Sequence, residues 1–290
     1  MLGRFGKDAG SLLGVEIAPD SVRIVQLQRR NRRCRVLASV QEPFESPAGS
    51  DWVAEPGAVA AALRRAYRRS GLRQRRVALA LPGNQVICKV CHLPVEQGGP
   101  EMEAQLLADA ERLFPFPLED LALDFQVLGG SSVEPGCAEV MVAACRQSAL
   151  APLESIIEEA GLQLEAVEVD SIALGRMLPL DRQQRSALLR IEAQSTTLHG
   201  WQSGRPQQRR ELSLGLSTIA GALPERLLAS EPLPDCLLIA SRSPIEPGQL
   251  QSLGSRLNLP CRLVPVLARL EHVDGAMILA CALALGGLRR

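Results

Sequence analysis

The sequence predicts an α/β protein with room for two domains, and three observations point there. Short segments such as Leu13 to Leu27, Arg76 to Leu81 and Val86 to Leu93 read as strands, and stretches with helical spacing alternate with them along the chain. The 290 residues are enough to bury a substantial core. Hydrophobic residues make up 46% of the chain but aromatics only 3%, so that core is built mainly of Leu, Val, Ala and Ile.

In chain order, Leu13 to Leu27 is expected to form two strands around a turn at Ala18-Pro-Asp-Ser21, and Cys34 to Val40 a third after the charged turn Arg29-Arg-Asn-Arg-Arg33. Glu55 to Ser70 follows as a helix whose inner face carries Val59, Leu63 and Tyr67. Its outer face carries Arg64, Arg65, Arg68 and Arg69, which with Arg73, Arg75 and Arg76 form a basic cluster. A solvated face is the first expectation for such a cluster, and phosphate binding the second. In the strand from Val86 to Leu93, Cys88 and Cys91 point to opposite faces, which argues against a redox or metal pair. Strands over Cys137 to Ala144 and Leu164 to Val169 flank a helix with an inner face of Leu153, Ile156, Ile157 and Ala160 that stops at Gly161.

The most specific stretch runs from Glu111 to Leu128. Met102, Leu106, Ala110 and Leu113 place a helix over about Glu101 to Leu113, which Pro115 and Pro117 end. Each proline also drives the residue before it, Phe114 or Phe116, towards extended geometry. Beyond them Leu121, Leu123, Phe125 and Val127 alternate with Ala122, Asp124, Gln126 and Leu128, the pattern of a strand with one buried face.

Composition excludes several function classes. The formal net charge is zero, so nothing draws the whole molecule to nucleic acid or to an anionic membrane. The opening Met1-Leu-Gly-Arg-Phe-Gly-Lys-Asp8 has no secretory pattern, and the apolar run from Ala276 to Leu288 is too short for a bilayer span, so a cytoplasmic protein with a buried helix near Ala276 is expected. Eight scattered cysteines without zinc-site spacing are expected to stay reduced. His92, His199 and His272 have no Asp, Cys or second His at ligand spacing, and no metal site is expected.

The helix, the Phe114-Pro-Phe-Pro-Leu-Glu119 turn and the Leu123-Asp-Phe-Gln-Val-Leu128 strand resemble the PilM family, the actin-like cytoplasmic proteins of type IV pilus assembly. Gly14-Val-Glu-Ile-Ala-Pro-Asp-Ser-Val-Arg23 resembles the family's opening strand-turn-strand. Val140-Met-Val-Ala-Ala-Cys-Arg146 and Asp170-Ser-Ile-Ala-Leu174 also fit in order and spacing. The resemblance implies an actin-like, ribonuclease-H-like fold of two lobes. Residues 1–83 and 169–185 would form the first lobe, 84–168 a small strand-helix-strand insertion, and 186–290 a reduced second lobe. The second lobe would open with Ala187 to Glu192 and Thr196 to Gln202, a second copy of the opening hairpin.

In such a fold nucleotide lies between the two hairpins, where small residues let backbone N–H groups reach phosphates and acidic groups order water around Mg2+. The resemblance maps that pocket onto Glu16, Ala18, Pro19, Asp20, Ser21, Arg23, Arg190, Glu192, Thr196, Gly215, Ala240, Ser241 and Arg242, and the pattern is degenerate. Where relatives read Asp-Ile-Gly, this chain has Glu16-Ile-Ala18 before Pro19, and Arg190-Ile-Glu192 in the second copy. The glycine-rich loop is replaced by Leu237-Leu-Ile-Ala-Ser-Arg-Ser-Pro244, and Ser217 to Leu233 has room for only one short helix. Nucleotide function is therefore expected to be lost or weak, with no cofactor, and ATP with Mg2+ is the alternative. Either Arg190 pairs with Glu16 across the cleft, or both face solvent.

The resemblance further implies a partner. Family members hold the N-terminal cytoplasmic peptide of a PilN-like inner-membrane protein in a groove beside the insertion, and Phe114, Phe116, Leu118, Leu121, Asp124, Gln126 and Leu128 are the candidates here. Two functions stay open: a non-catalytic scaffold of a pilus or DNA-uptake apparatus, peripheral to the inner membrane through its partners, or an actin-like ATP-binding protein or slow ATPase of the same machine. The cytoplasmic domain of a type II secretion protein is a third, expected to continue into a membrane helix that this sequence does not show.

Overall fold

The computed structural model of the chain describes residues 11–30, 33–45, 55–178, 185–193, 195–202, 205–213, 234–265 and 273–288. It divides into two compact units, Leu81–Ser155 and the remainder.

The larger unit contains two five-stranded sheets built alike. In the first, β1 (Leu13–Ala18) pairs antiparallel with β2 (Ser21–Arg30), β2 antiparallel with β3 (Arg33–Pro43), and β1 parallel with β4 (Arg76–Leu81). The helix α1 (Pro56–Ser70) connects β3 to β4 and buries Val59 and Leu63. Gly71 ends it at φ 66°, a left-handed conformation that glycine adopts without a Cβ clash.

The small unit follows β4 and is described below. The chain then returns through α4 (Gln147–Glu159) to β8 (Gln163–Val169), which lies next to β4, giving the order β3-β2-β1-β4-β8. The backbone N–H of Gln163 donates to Arg75 O at 2.9 Å, so β8 starts beside the start of β4. This corrects the expected 84–168 insertion: its last strand belongs to the first sheet. A helix followed by a strand reads the same in sequence whether the strand rejoins the old sheet or extends the new one.

The second sheet repeats the plan with β9 (Arg185–Ile191), β10 (Thr196–Gln202), β11 (Arg205–Leu212), β12 (Cys236–Ser241) and β13 (Cys261–Leu263), in the order β11-β10-β9-β12-β13. Again the first three strands form an antiparallel meander, and β12 pairs parallel with β9. The expected second copy of the opening hairpin is thus β9–β10. The proposed short helix at Ser217 to Leu233, and Gly215, lie outside the described residues. The helix α6 (Pro247–Leu257), capped reciprocally by Glu246 and Gln249, packs Leu253 and Leu257 on this sheet.

Both sheets contribute to one core around α5 (Asp170–Gly175) and α7 (Ile278–Gly287). Every residue of α7 from Ile278 to Ala284 is buried, as its uniformly apolar sequence requires. It lies so close to β1 that a Cβ on Gly14 would sit 1.9 Å from Ala280 O. Among the described residues no helix is long and apolar enough to cross a membrane.

The small unit is a three-stranded antiparallel sheet in the order β5-β7-β6, formed by β5 (Ile87–Pro94), β6 (Leu121–Gly130) and β7 (Cys137–Arg146). The expected single helix before Pro115 is two pieces, α2 (Gly99–Ala108) and α3 (Ala110–Leu113), separated at Asp109. Phe114 is extended at φ −131° and ψ 143°, as a residue before proline must be. Its ring joins Met102, Leu106, Val140 and Val142 in the unit's core.

Candidate functional site

The two hairpin turns of the larger unit bring together four charged side chains. Glu16 on β1 stands directly across the ladder from Arg23 on β2, so both project from one face of the hairpin, with Arg23 Nη1 3.4 Å from Glu16 Oε1. Arg190, near the end of β9, forms an ion pair with Glu16, and Glu192 follows in the β9–β10 turn. Arg23 donates to both oxygens of Glu192, at 2.8 and 2.6 Å, and to the carbonyl of Ala276 at 3.0 Å. Arg190 is 3.5 Å from Glu192 Oε1. Two arginines and two glutamates therefore neutralise one another at the position expected for metal and phosphate.

Burial makes this neutrality necessary. Arg23 is 0% exposed, Glu16 5% and Arg190 9%. An isolated charge there would be costly, and the ions are tolerable because each faces its opposite. Burial alone would lower the pKa of Arg23 and of Arg190; for both, the negative charges of Glu16 and Glu192 outweigh it and raise the pKa. Glu16 Oε2 and Arg23 Nε have no hydrogen-bond partner among the described residues. Of the two arrangements left open by the sequence, the pair Arg190–Glu16 is the one found.

The other mapped residues surround this quartet. Asp20, in the first turn, pairs with Arg242 at the end of β12 and accepts 2.8 Å from Ser21 Oγ. Burial would raise the Asp20 pKa, but the bonds from Arg242 and Ser21 dominate and lower it. Ala18 and Ala240 are buried in the apolar packing, Pro19 is exposed in the turn, and Thr196 is buried at the start of β10. Ser241 is buried without a partner for its hydroxyl among the described residues, and a Cβ on Gly275 would lie 2.3 Å from Ser241 O. Sequence reasoning missed Ala276, whose contribution is a backbone carbonyl from 253 residues away and carries no residue-type signal.

It also missed a second polar cluster, where α5 meets β10 and β11. Ser171 Oγ lies 2.9 Å from His199 Nδ1 and 3.1 Å from Asp170 Oδ1, and Arg209 donates to Asp170 at 2.9 Å. Trp201 stacks on His199 and donates to Ser171 O at 3.0 Å. Burial pushes His199 down to about 3, only partly opposed by Asp170, so the ring is neutral. Ser171, the partner of its Nδ1, lies 28 residues back in the chain. His92 is likewise not alone, lying 3.1 Å from Glu134, and His272 falls outside the described residues.

The basic cluster is largely tied down. Arg65 and Arg69 both bond Glu42, at 2.8 and 2.6 Å, Arg64 bonds Glu159 O, and Arg76 reaches Glu165 at 3.0 Å. Cys88 is exposed and Cys91 half-buried, in keeping with opposite faces of β5.

In the small unit the proposed groove residues divide between the two sides of the sheet. Phe114 is core, with Lys89 Nζ 5.7 Å above its ring. Phe116 and Leu121 pack partly buried on that core, and Phe116 is covered by Arg146 at 5.6 Å, itself paired with Asp120. Leu118 is 48% exposed, Asp124 and Gln126 face solvent, and a bulge between Val127 and Gly129 carries Leu128. The seven do not make one surface. Strand β6 does form an edge of its sheet.

The family described as type IV pilus assembly protein PilM matches residues 14–223. The chain belongs to the PilM family. Among solved structures this PilM-family chain is similar to that of a PilM-PilN type IV pilus biogenesis complex, at 22% identity and a TM-score of 0.74 over 96% of this chain and 98% of that one. It is also similar to the cytoplasmic domain of EpsL, an inner-membrane component of the type II secretion system of Vibrio cholerae. There identity is 16% and the TM-score 0.50, over 96% and 95% of the two chains. Ethanolamine utilization protein EutJ from Carboxydothermus hydrogenoformans gives 10% and 0.51, over 95% and 90%. The fold is actin-like, with the paired sheets described above.

Proposed function

We propose that this PilM-family chain is a non-catalytic scaffold of type IV pilus assembly that binds the N-terminal cytoplasmic peptide of a PilN-like inner-membrane protein and is held at the membrane through it. The partner rests on one observation, the end-to-end likeness to a PilM solved with PilN. The edge position of β6 supports it, since an extended peptide can add to a sheet edge through backbone hydrogen bonds. The non-catalytic part is supported by the buried quartet: Arg190 and Glu192 put a guanidinium and a carboxylate where a nucleotide needs an acidic metal-ordering group and a small residue. No cofactor is part of this function.

Calorimetric titration separates it from the ATP-dependent alternative. With protein at about 0.1 mM, a PilN-like peptide should bind saturably and Mg-ATP should give no heat up to several millimolar. Mg-ATP binding tighter than roughly 0.1 mM, about 5.5 kcal/mol, would move the ATP-binding function into first place. Absence of peptide binding by folded protein would refute the scaffold.

A further inference from the structure

Glu192 differs from the other three members of the quartet. It lies beyond the last residue of β9, in the turn, and its side chain keeps 17% exposure while that of Arg23 has none. Both of its oxygens are taken by the two terminal nitrogens of one guanidinium, at 2.8 and 2.6 Å, with a second guanidinium 3.5 Å from Oε1. A two-pronged bond from a dry arginine, with another arginine alongside, is how proteins hold a free carboxylate or a phosphate group.

We propose that Glu192 is an internal ligand, its carboxylate filling a small-oxyanion site built by Arg23 and Arg190. Arg23 does not depend on Glu192 for its position, because Glu16 faces it across the ladder and Ala276 O accepts from it at 3.0 Å. Without the Glu192 carboxylate, one glutamate would face two buried guanidinium groups. The site would then carry net positive charge, with an opening where Glu192 reaches solvent. Its external ligand class is a compact oxyanion, either a small carboxylate or inorganic phosphate. This deepens the reading of the cleft as closed to nucleotide by naming the group that fills it.

The test is chemical rescue of Glu192→Gly in the full chain, with melting followed in chloride, acetate and phosphate at equal ionic strength. In chloride the melting temperature should fall by roughly 6 °C, as expected for a buried guanidinium losing its partner. Phosphate or acetate should recover at least half of that fall, leave the unaltered protein unmoved, and do nothing for Arg23→Met/Glu192→Gly. Equal shifts in variant and parent, or no gain over chloride, would overturn the proposal. Should Glu192→Gly not fold in chloride, the yield of folded protein on refolding in phosphate replaces the melting temperature, and no gain there overturns it equally. Mg-ATP titration of the unaltered protein is a separate readout: binding there would refute the closed cleft without deciding the rescue.

Discussion

Arg190→Met is the substitution whose consequence the geometry defines most fully. It removes the ion pair with Glu16 and leaves that carboxylate, 6% exposed, with Arg23 at 3.4 Å as its remaining ionic neighbour. Glu16 Oε2 already has no hydrogen-bond partner among the described residues, so nothing nearby takes over. Removing one member of a buried pair typically costs ~3–5 kcal/mol, and the surviving contact to Arg23 places the loss near the lower end, about 3 kcal/mol. For a unit of this size that is a fall of roughly 6–12 °C in melting temperature. Scanning calorimetry of the variant, of Glu16→Gln and of the double variant gives the coupling directly. The double variant should be less destabilised than the sum of the two singles, because it strands no charge. A fall under about 2 °C for Arg190→Met, or strict additivity, would show that the pair does not contribute as described.

Three further outcomes follow from the same structure. His199, held at about 3 when folded and near 6.5 when unfolded, binds a proton more readily in the unfolded chain. Its contribution to stability is therefore complete above about pH 6.5 and declines as pH falls towards 3, by about 1.4 kcal/mol per unit; chemical denaturation across that range should flatten in His199→Gln. Gly14→Val forces a side chain into the backbone of α7, where even a Cβ meets Ala280 O at 1.9 Å, and should abolish soluble folded protein in an expression assay. In the small unit, Phe114→Ala should cost about 3–5 kcal/mol by denaturant titration, whereas Leu118→Asp, at a half-exposed position, should change stability by no more than about 0.5 kcal/mol. If the PilN-like peptide covers Leu118, that second substitution should weaken it at least about tenfold by calorimetry, and unchanged affinity would remove Leu118 from the groove.

Where the sequence spoke locally, it was legible. The turn at Ala18 to Ser21, the extended Phe114 before proline and the opposed faces of Cys88 and Cys91 all follow from residue types within a few positions of one another. The Arg190–Glu16 pair was legible only as one of two arrangements: equivalent places in two hairpins and complementary charges allow it, but burial, which the sequence does not give, selects it over two solvent-facing side chains. What failed to show needed long-range information. Nothing in Gln163 to Val169 says that it will hydrogen-bond beside β4, and nothing in Ala276 marks its carbonyl as an arginine acceptor. The groove candidates do not share one face, because a strand alternates with a period of two. Leu121 shares a face with Leu123 and Phe125, so grouping it with Asp124 and Gln126 crossed the sheet, and the bulge after Val127 then shifted Leu128.

The order of these effects decides what the cleft can do. Apolar burial brings the hairpins together: both sheets give residues to the core around α5 and α7, and Gly14 lets α7 lie flush on β1. The charges then have to be compatible with a distance they did not set. An acidic group and small turn residues on both sides would need an external cation or ligand to offset them, whereas Glu16 facing Arg190 and Arg23 facing Glu192 need none. Losing one of the four should therefore weaken the unit without separating the sheets, because the core between them is untouched. Hydrogen exchange in Arg190→Met should accelerate in the two turns while α7 stays protected. Equal acceleration in α7 would mean that the charges, and not the core, hold the hairpins in place.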